Sequence, residues 1–139
     1  MKVVLDTNVY IAGLLSKSGA SALLLDLWLN EAYVDVIVSP LLLAELEAVL
    51  QRPKFKKLDA QLRKLFLTSV RRAAIHVADV DFTNPLLRDA KDNFVVALAI
   101  EGRVDALISL DLDLLDLEDD EFSVPILTPG DFLKQLRST

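Results

Sequence analysis

The sequence predicts an α/β fold, a three-layer α/β/α sandwich around a parallel sheet, formed by residues 1–139 as a single domain. Two observations carry this. Short apolar runs rich in Val, Ile and Leu alternate with helical patterns along the chain, the signature of a parallel sheet wrapped on both faces. Two of those runs end in carboxylates: Lys2-Val3-Val4-Leu5 leads into Asp6, and Val104 to Ser109 leads into Leu110-Asp111-Leu112-Asp113. Open sheets of this class place their ligands at the carboxyl ends of strands, near a topological switch point.

The elements follow in order. A strand at 2–6 precedes helical patterns at about 8–15 and 19–31, the second with Leu23, Leu24, Leu27 and Trp28 on one side. Trp28 on that face reads as core or interface. Tyr33, Val34, Val36, Ile37 and Val38 make a strand at 33–38. Ser39-Pro40 then opens a helix, serine as N-cap and proline in the first turn, and Arg52-Pro53 stops it. A helix at about 58–73 and a short strand at 74–78 follow, the strand containing His76 as a core or edge residue. Asn84-Pro85 marks a turn, and a helix fills about 90–101 with Gly102 as its C-cap. The next strand is 104–108, then a short helical turn after Asp111, a last strand at 124–127 and a last helix at 129–137. Right-handed crossovers are expected.

Composition narrows the chemistry. The chain has 139 residues and 53% hydrophobic content, enough to bury a proper core. No apolar run reaches the ~18 residues of a membrane span. The chain enters its first strand at once, the pattern of a protein without a secretory leader. Cysteine is absent and His76 is the one histidine. Disulfides, thiolate chemistry, zinc–thiolate sites, a Ser-His-Asp triad and multi-histidine metal sites are thereby excluded or nearly so, and a cytoplasmic location is expected. Carboxylates remain as the groups able to do chemistry, and they are hard ligands suited to Mg²⁺ or Mn²⁺. The net charge of −6 is polarised: eight of fifteen basic residues lie between Arg52 and Arg72, and eight of twenty-one acids between Asp105 and Glu121.

Four carboxylates stand out. Asp6 follows three apolar residues at a strand end, where Asp-Thr-Asn is also good capping chemistry. Glu45 falls within the apolar stripe Leu42, Leu46 and Val49 of its helix, where a carboxylate needs a cation or strong donors. Glu47 and Gln51 point elsewhere. Asp92, with Asp89, precedes an apolar helix, where acids also complement the helix dipole. Asp111, with Asp113, follows a strand, in a context that also suits turn capping. Asp6, Asp92 and Asp111 begin or end elements that would meet at one sheet edge, and Glu45 projects there from a flanking helix. Carboxylates so gathered require cations or raised pKa values. One or two divalent ions meet that requirement and create a catalyst for phosphodiester hydrolysis.

With these residues in place, the sequence resembles a PIN domain, the metal-dependent ribonuclease fold of VapC-like toxins. The matching segments are Leu5-Asp6-Thr7-Asn8-Val9, Ser39-Pro40 with Glu45, Arg88-Asp89-Ala90-Lys91-Asp92-Asn93 before a helix ending in Glu101-Gly102, Ala106 to Leu115, and Leu127-Thr128-Pro129-Gly130-Asp131-Phe132-Leu133. The resemblance runs over essentially the whole chain. It implies strand order 3-2-1-4-5, an acidic quartet at Asp6, Glu45, Asp92 and Asp111, Asp113 as a fifth acid, and Asn8 and Ser109 as supporting polar residues. It also implies Mg²⁺ or Mn²⁺, a single-stranded or loop RNA substrate, a homodimer, and a place as toxin beside a cognate antitoxin. Leu110 departs from the pattern, since glycine often precedes this aspartate in the family.

Two other readings compete. A non-catalytic PIN scaffold would bind RNA or a protein partner without cleaving; the intact quartet argues against it. A haloacid-dehalogenase-like phosphatase also opens with a strand and aspartate, but that chemistry usually needs a second acid two residues on, where this chain has Asn8. The basic residues Arg52, Lys54, Lys56 and Lys57, directly downstream of the helix carrying Glu45, are the candidates for RNA binding. Leu23, Leu24, Leu27, Trp28, Leu65, Phe66 and Val70 offer apolar helix surface for a homodimer.

Overall fold

The computed structural model describes residues 1–79, 93–117 and 124–138. Strand β1 (Lys2–Leu5) leads into helices α1 (Thr7–Leu15) and α2 (Ala20–Leu29), then β2 (Asp35–Val38) and α3 (Pro40–Leu50). A 3₁₀ turn at Pro53–Phe55 precedes α4 (Ala60–Ala73) and β3 (Ile75–His76). Helix α5 (Asn93–Glu101), β4 (Ala106–Ile108), α6 (Leu112–Leu115), β5 (Ile126–Leu127) and α7 (Pro129–Ser138) follow. The strands form one five-stranded sheet in the order β3-β2-β1-β4-β5, parallel at every pairing. This is the expected topology.

The central position of β1 follows from its residues. Val3, Val4 and Leu5 have no exposed surface, as a strand covered on both faces requires. Edge strand β3 is short and exposed on both residues, so the apolar stretch at 74–78 delivers only two ladder positions. His76 is thus an exposed edge residue, and its Nε2 donates to the Arg71 carbonyl at 2.7 Å. Helix α5 is apolar all round and Val95 to Ala99 are buried, the pattern of a core helix. Its position in the chain puts a side of it against β1, β4 and α3. Helix α7 begins at the Thr128 hydroxyl, which accepts from Asp131 N–H at 3.1 Å, and buries Phe132 and Leu133.

Several expectations are corrected. In α2 the buried apolar residues are Leu24, Leu25 and Trp28, whereas Leu23 is exposed. The Trp28 ring meets Tyr10 edge-to-face at 6.0 Å between centroids. In α3 the core stripe is Leu42, Leu46 and Leu50; Val49 lies beside it. Gly102 directly follows α5, as its C-cap should, and the left-handed residue is the next one, Arg103, with φ 48°. Glycine suits 102 because a Cβ there would press on the Leu98 carbonyl and the Ile37 side chain. At Gly13 a Cβ would collide with Leu25, which sets how closely α1 and α2 approach. Leu24, Trp28 and Val70 are taken up by the core, so of the apolar surface expected for a dimer only Leu23 and Leu65 are well exposed. Asn84-Pro85 and the segment before α5, including Arg88, Asp89 and Asp92, lie outside the described residues.

Three buried side-chain polar atoms, Tyr10 Oη, Trp28 Nε1 and Arg63 Nε, have no hydrogen-bond partner among the described residues. Burial pushes the Tyr10 hydroxyl well above its ordinary pKa. Helix α3 is held at both ends. Ser39 Oγ accepts from Leu42 N–H at 3.4 Å and Asp79 from Leu41 N–H at 3.0 Å. At its C-terminus Arg63 donates to the Leu50 carbonyl at 3.0 Å. Glu47 pairs with Arg71 on the surface.

Candidate active site

Strand order reverses between β1 and β4, which makes their carboxyl ends the switch point. Leu5 is in register with Ile108, so the next residues, Asp6 and Ser109, emerge side by side. Asp6 N–H donates to the Ile108 carbonyl at 2.9 Å. The extended backbone of Asp6 makes it the N-cap of α1, and its Oδ1 accepts from Thr7 N–H at 2.8 Å. Its Oδ2 accepts from Ser109 Oγ at 2.8 Å. Asp6 is 4% exposed and Ser109 fully buried. One carboxylate is therefore desolvated and oriented by two donors, one from each central strand end.

The network extends in both directions. Thr7 Oγ1 donates to Glu45 Oε2 at 2.8 Å, tying α1 to α3. Ser109 Oγ accepts from Asp111 N–H at 2.9 Å. Asp111 caps α6, its Oδ1 accepting from Asp113 N–H at 2.9 Å, and Asp113 is exposed. Asn8 Oδ1 accepts from Leu110 N–H at 3.4 Å. The Leu110 side chain is exposed and its φ is not positive, so the loop accommodates leucine where glycine was the pattern. Of the sequence-derived candidates, Asp6, Glu45, Asn8, Ser109, Asp111 and Asp113 thus belong to one hydrogen-bonded neighbourhood. Asp92 lies outside the described residues. Among the described residues, no three His, Cys, Asp or Glu side chains stand as a group able to hold a metal ion.

Asp6 and Glu45 open into a cleft of about 410 Å³ between α1 and α3. Asn8, Ile11, Ala12 and Leu15 line one wall, at spacings that put them on one side of α1. Glu45 and Val49, an i, i+4 pair, line the other, and Arg52, Lys54 and Phe55 complete the lining. Lys54 Nζ sits 5.0 Å from the Phe55 ring centroid, a cation–π arrangement. Of the four basic candidates, Arg52 and Lys54 border the cleft, while Lys56 and Lys57 are exposed beyond its lining.

Thr7 and Phe55 were not singled out from sequence. Thr7 had a readable signal, a hydroxyl directly after a strand-end aspartate. Phe55 had none, because the 3₁₀ turn that buries it follows what reads as a helix stop.

A parallel sheet in this order, with carboxylates at its switch point, defines a class of α/β domain that the comparisons specify further. The family model described as PIN domain matches residues 2–113, and the chain belongs to the PIN domain family, whose members are generally nucleases. It is similar to the uncharacterized protein MJ1680 of Methanocaldococcus jannaschii, with 28% identity over 97% of this chain and 91% of that one. Two crystal structures share the fold. PAE2754 from Pyrobaculum aerophilum matches with a TM-score of 0.66 at 16% identity, covering 100% of this chain and 91% of the other. VapBC2 from Rickettsia felis, bound to a DNA fragment from its promoter, matches with a TM-score of 0.59 at 14% identity, covering 91% and 97%. No helix among the described residues is long and apolar enough to cross a membrane.

Proposed function

We propose that the chain is a divalent-metal-dependent endoribonuclease and the toxin of a toxin–antitoxin pair. The observation that carries this is the hydrogen-bonded link from buried Asp6 through Thr7 to Glu45, at the mouth of a cleft bordered by Arg52 and Lys54. The donor set is all carboxylate and hydroxyl oxygen, which fits Mg²⁺ or Mn²⁺. Asp6, Glu45, Asp92 and Asp111 would hold the ion, with Asp113 as a further acid. When bound, it supplies Lewis-acid stabilisation of charge on the phosphate. Ser109 and Thr7 hold the Asp6 and Glu45 carboxylates in place. Asn8 holds the loop leading to Asp111. Arg52 and Lys54 attract the RNA phosphates, with Lys56 and Lys57 extending the basic path. The reaction adds water across one P–O ester bond, leaving a phosphomonoester and a hydroxyl.

An antitoxin protein is the proposed partner and a homodimer the proposed assembly, in the cytoplasm; the fold likeness to VapBC2 supports the first. A second reading is a scaffold that binds RNA or protein without cutting it. Incubation with a panel of single-stranded and hairpin RNAs separates the two. The nuclease reading expects cleavage with Mg²⁺ or Mn²⁺ that EDTA abolishes. Binding without cleavage under every metal condition would establish the scaffold instead.

A further inference from the structure

The cleft between α1 and α3 contains more than a phosphate site requires. The charged Asp6, Glu45, Arg52 and Lys54 line it together with the polar Thr7 and Asn8 and with apolar residues. Ile11 and Leu15 are an i, i+4 pair on α1, facing Val49 of α3 and Phe55 of the 3₁₀ turn. Leu15 is 53% exposed although it adjoins these partly or fully buried neighbours. A lone exposed leucine is ordinary. An apolar wall from two helices and a 3₁₀ turn, sharing one cleft with a carboxylate pair and a pair of cations, is a different feature. It adds nothing to holding an ion or a phosphodiester.

We infer that this wall is a nucleobase subsite, which seats the base of one unpaired nucleotide next to the phosphate being cut. The inference rests on the nuclease reading for the identity of that phosphate. The chemistry of the cleft matches one unit of single-stranded nucleic acid: an anionic phosphate for Arg52 and Lys54, and an apolar base face for the wall. The volume, about 410 Å³, lies within the range of about 300–1,000 Å³ usual for small-molecule sites. A base in a duplex is stacked and cannot enter, whereas bases of loops and single strands can be splayed onto a protein surface. The aliphatic groups of Leu15, Ile11 and Val49 read the base's apolar face and not its hydrogen-bonding edge, so the subsite requires a base without choosing among the four.

The test uses single-stranded RNA oligonucleotides carrying one abasic nucleotide, moved position by position. Equilibrium binding to the intact protein by fluorescence anisotropy and kcat/KM for cleavage are both read, for wild type, Leu15→Ser and Val49→Thr. Loss of the base at one position beside the cut should weaken wild-type binding and kcat/KM about 5-fold, the low end for a stacked base. The same abasic change should alter the Leu15→Ser protein less than about 2-fold, because its wall is already broken. Val49→Thr keeps the side-chain volume and should give an intermediate loss. Circular dichroism checks that each variant is folded. Binding that is insensitive to the abasic position, or a sensitivity that persists in both variants, overturns the subsite. Position-dependent binding with no cleavage would retain the subsite and reject the nuclease reading. Absence of any RNA binding would reject the subsite.

Discussion

Replacing Ser109 by alanine removes the hydroxyl on which the two strand ends depend. Ser109 Oγ donates to Asp6 Oδ2 and accepts from Asp111 N–H, at 2.8 and 2.9 Å. Both the serine and Asp6 are buried, so water does not readily replace the lost donor. A hydrogen bond to a charged group contributes about 1.5–3 kcal/mol, and a buried donor left unpaired costs about 1–3 kcal/mol. Asp111 is half-buried and its N–H can recover water, so the second contribution is at the low end. The net expectation is a loss of about 2–3 kcal/mol, a large fraction of a domain's stability. Urea denaturation in EDTA measures it without interference from metal binding. A double-mutant cycle with Asp6→Asn should return a coupling of about 1 kcal/mol or more. A Ser109→Ala loss under about 0.5 kcal/mol, with no coupling to Asp6, would refute the view that this hydroxyl orients the carboxylate.

Other outcomes follow from the same geometry. Thr7→Val keeps the shape but removes the donor to Glu45. It should raise the metal concentration needed for half-maximal cleavage several-fold, and Thr7→Ser should restore it; equal metal dependence in all three proteins would show that the contact does not position Glu45. Tyr10→Phe deletes a buried hydroxyl that has no partner among the described residues. It should leave stability unchanged or raise it by up to about 1 kcal/mol in urea denaturation; a loss of more than about 1 kcal/mol would mean the hydroxyl is satisfied. Arg52→Gln with Lys54→Gln should weaken RNA binding and flatten the log–log salt slope by about 1.4, from about 0.7 per phosphate on single strands. The pair Lys56→Gln with Lys57→Gln should change it less, and the reverse ranking would move the substrate path away from the cleft.

Element order and topology were legible because the local signals agreed with one another. Ser39-Pro40 marks the start of α3 with cap chemistry that the structure shows at Ser39 Oγ, and Val3 to Leu5 can only be a strand covered on both sides. Boundaries were less legible where exposure, not hydrophobicity, decides. The stretch at 74–78 is apolar enough for a strand, yet at the sheet edge only Ile75 and His76 pair. Pairing at β4 is regular only from Ala106, although Asp105 N–H already reaches the Lys2 carbonyl at 2.7 Å. The candidate site was legible as Asp6 and Asp111 after strand ends and Glu45 within a flanking helix. Its cross-connections were not. In a helix as apolar as α3, Val49 and Leu50 are equal candidates for the buried stripe, and only the fold puts Leu50 in the core and Val49 beside Glu45. Lys54 and Phe55 join the cleft through a 3₁₀ turn whose sequence reads simply as a break.

The central claim is that the carboxylates around Asp6 form one metal-dependent catalytic site. The most direct measurement is RNA cleavage by Asp6→Asn at saturating Mg²⁺ or Mn²⁺, with urea denaturation of the same preparation in EDTA. Asparagine preserves the cap on α1 in size and accepts from Thr7 N–H, so the fold should persist. The variant should be as stable as wild type or more so, because a buried charge has been removed, and cleavage should fall by about 10²–10³-fold, the order lost when a group central to charge stabilisation is removed. A folded Asp6→Asn protein that cleaves RNA at the wild-type rate would contradict the account.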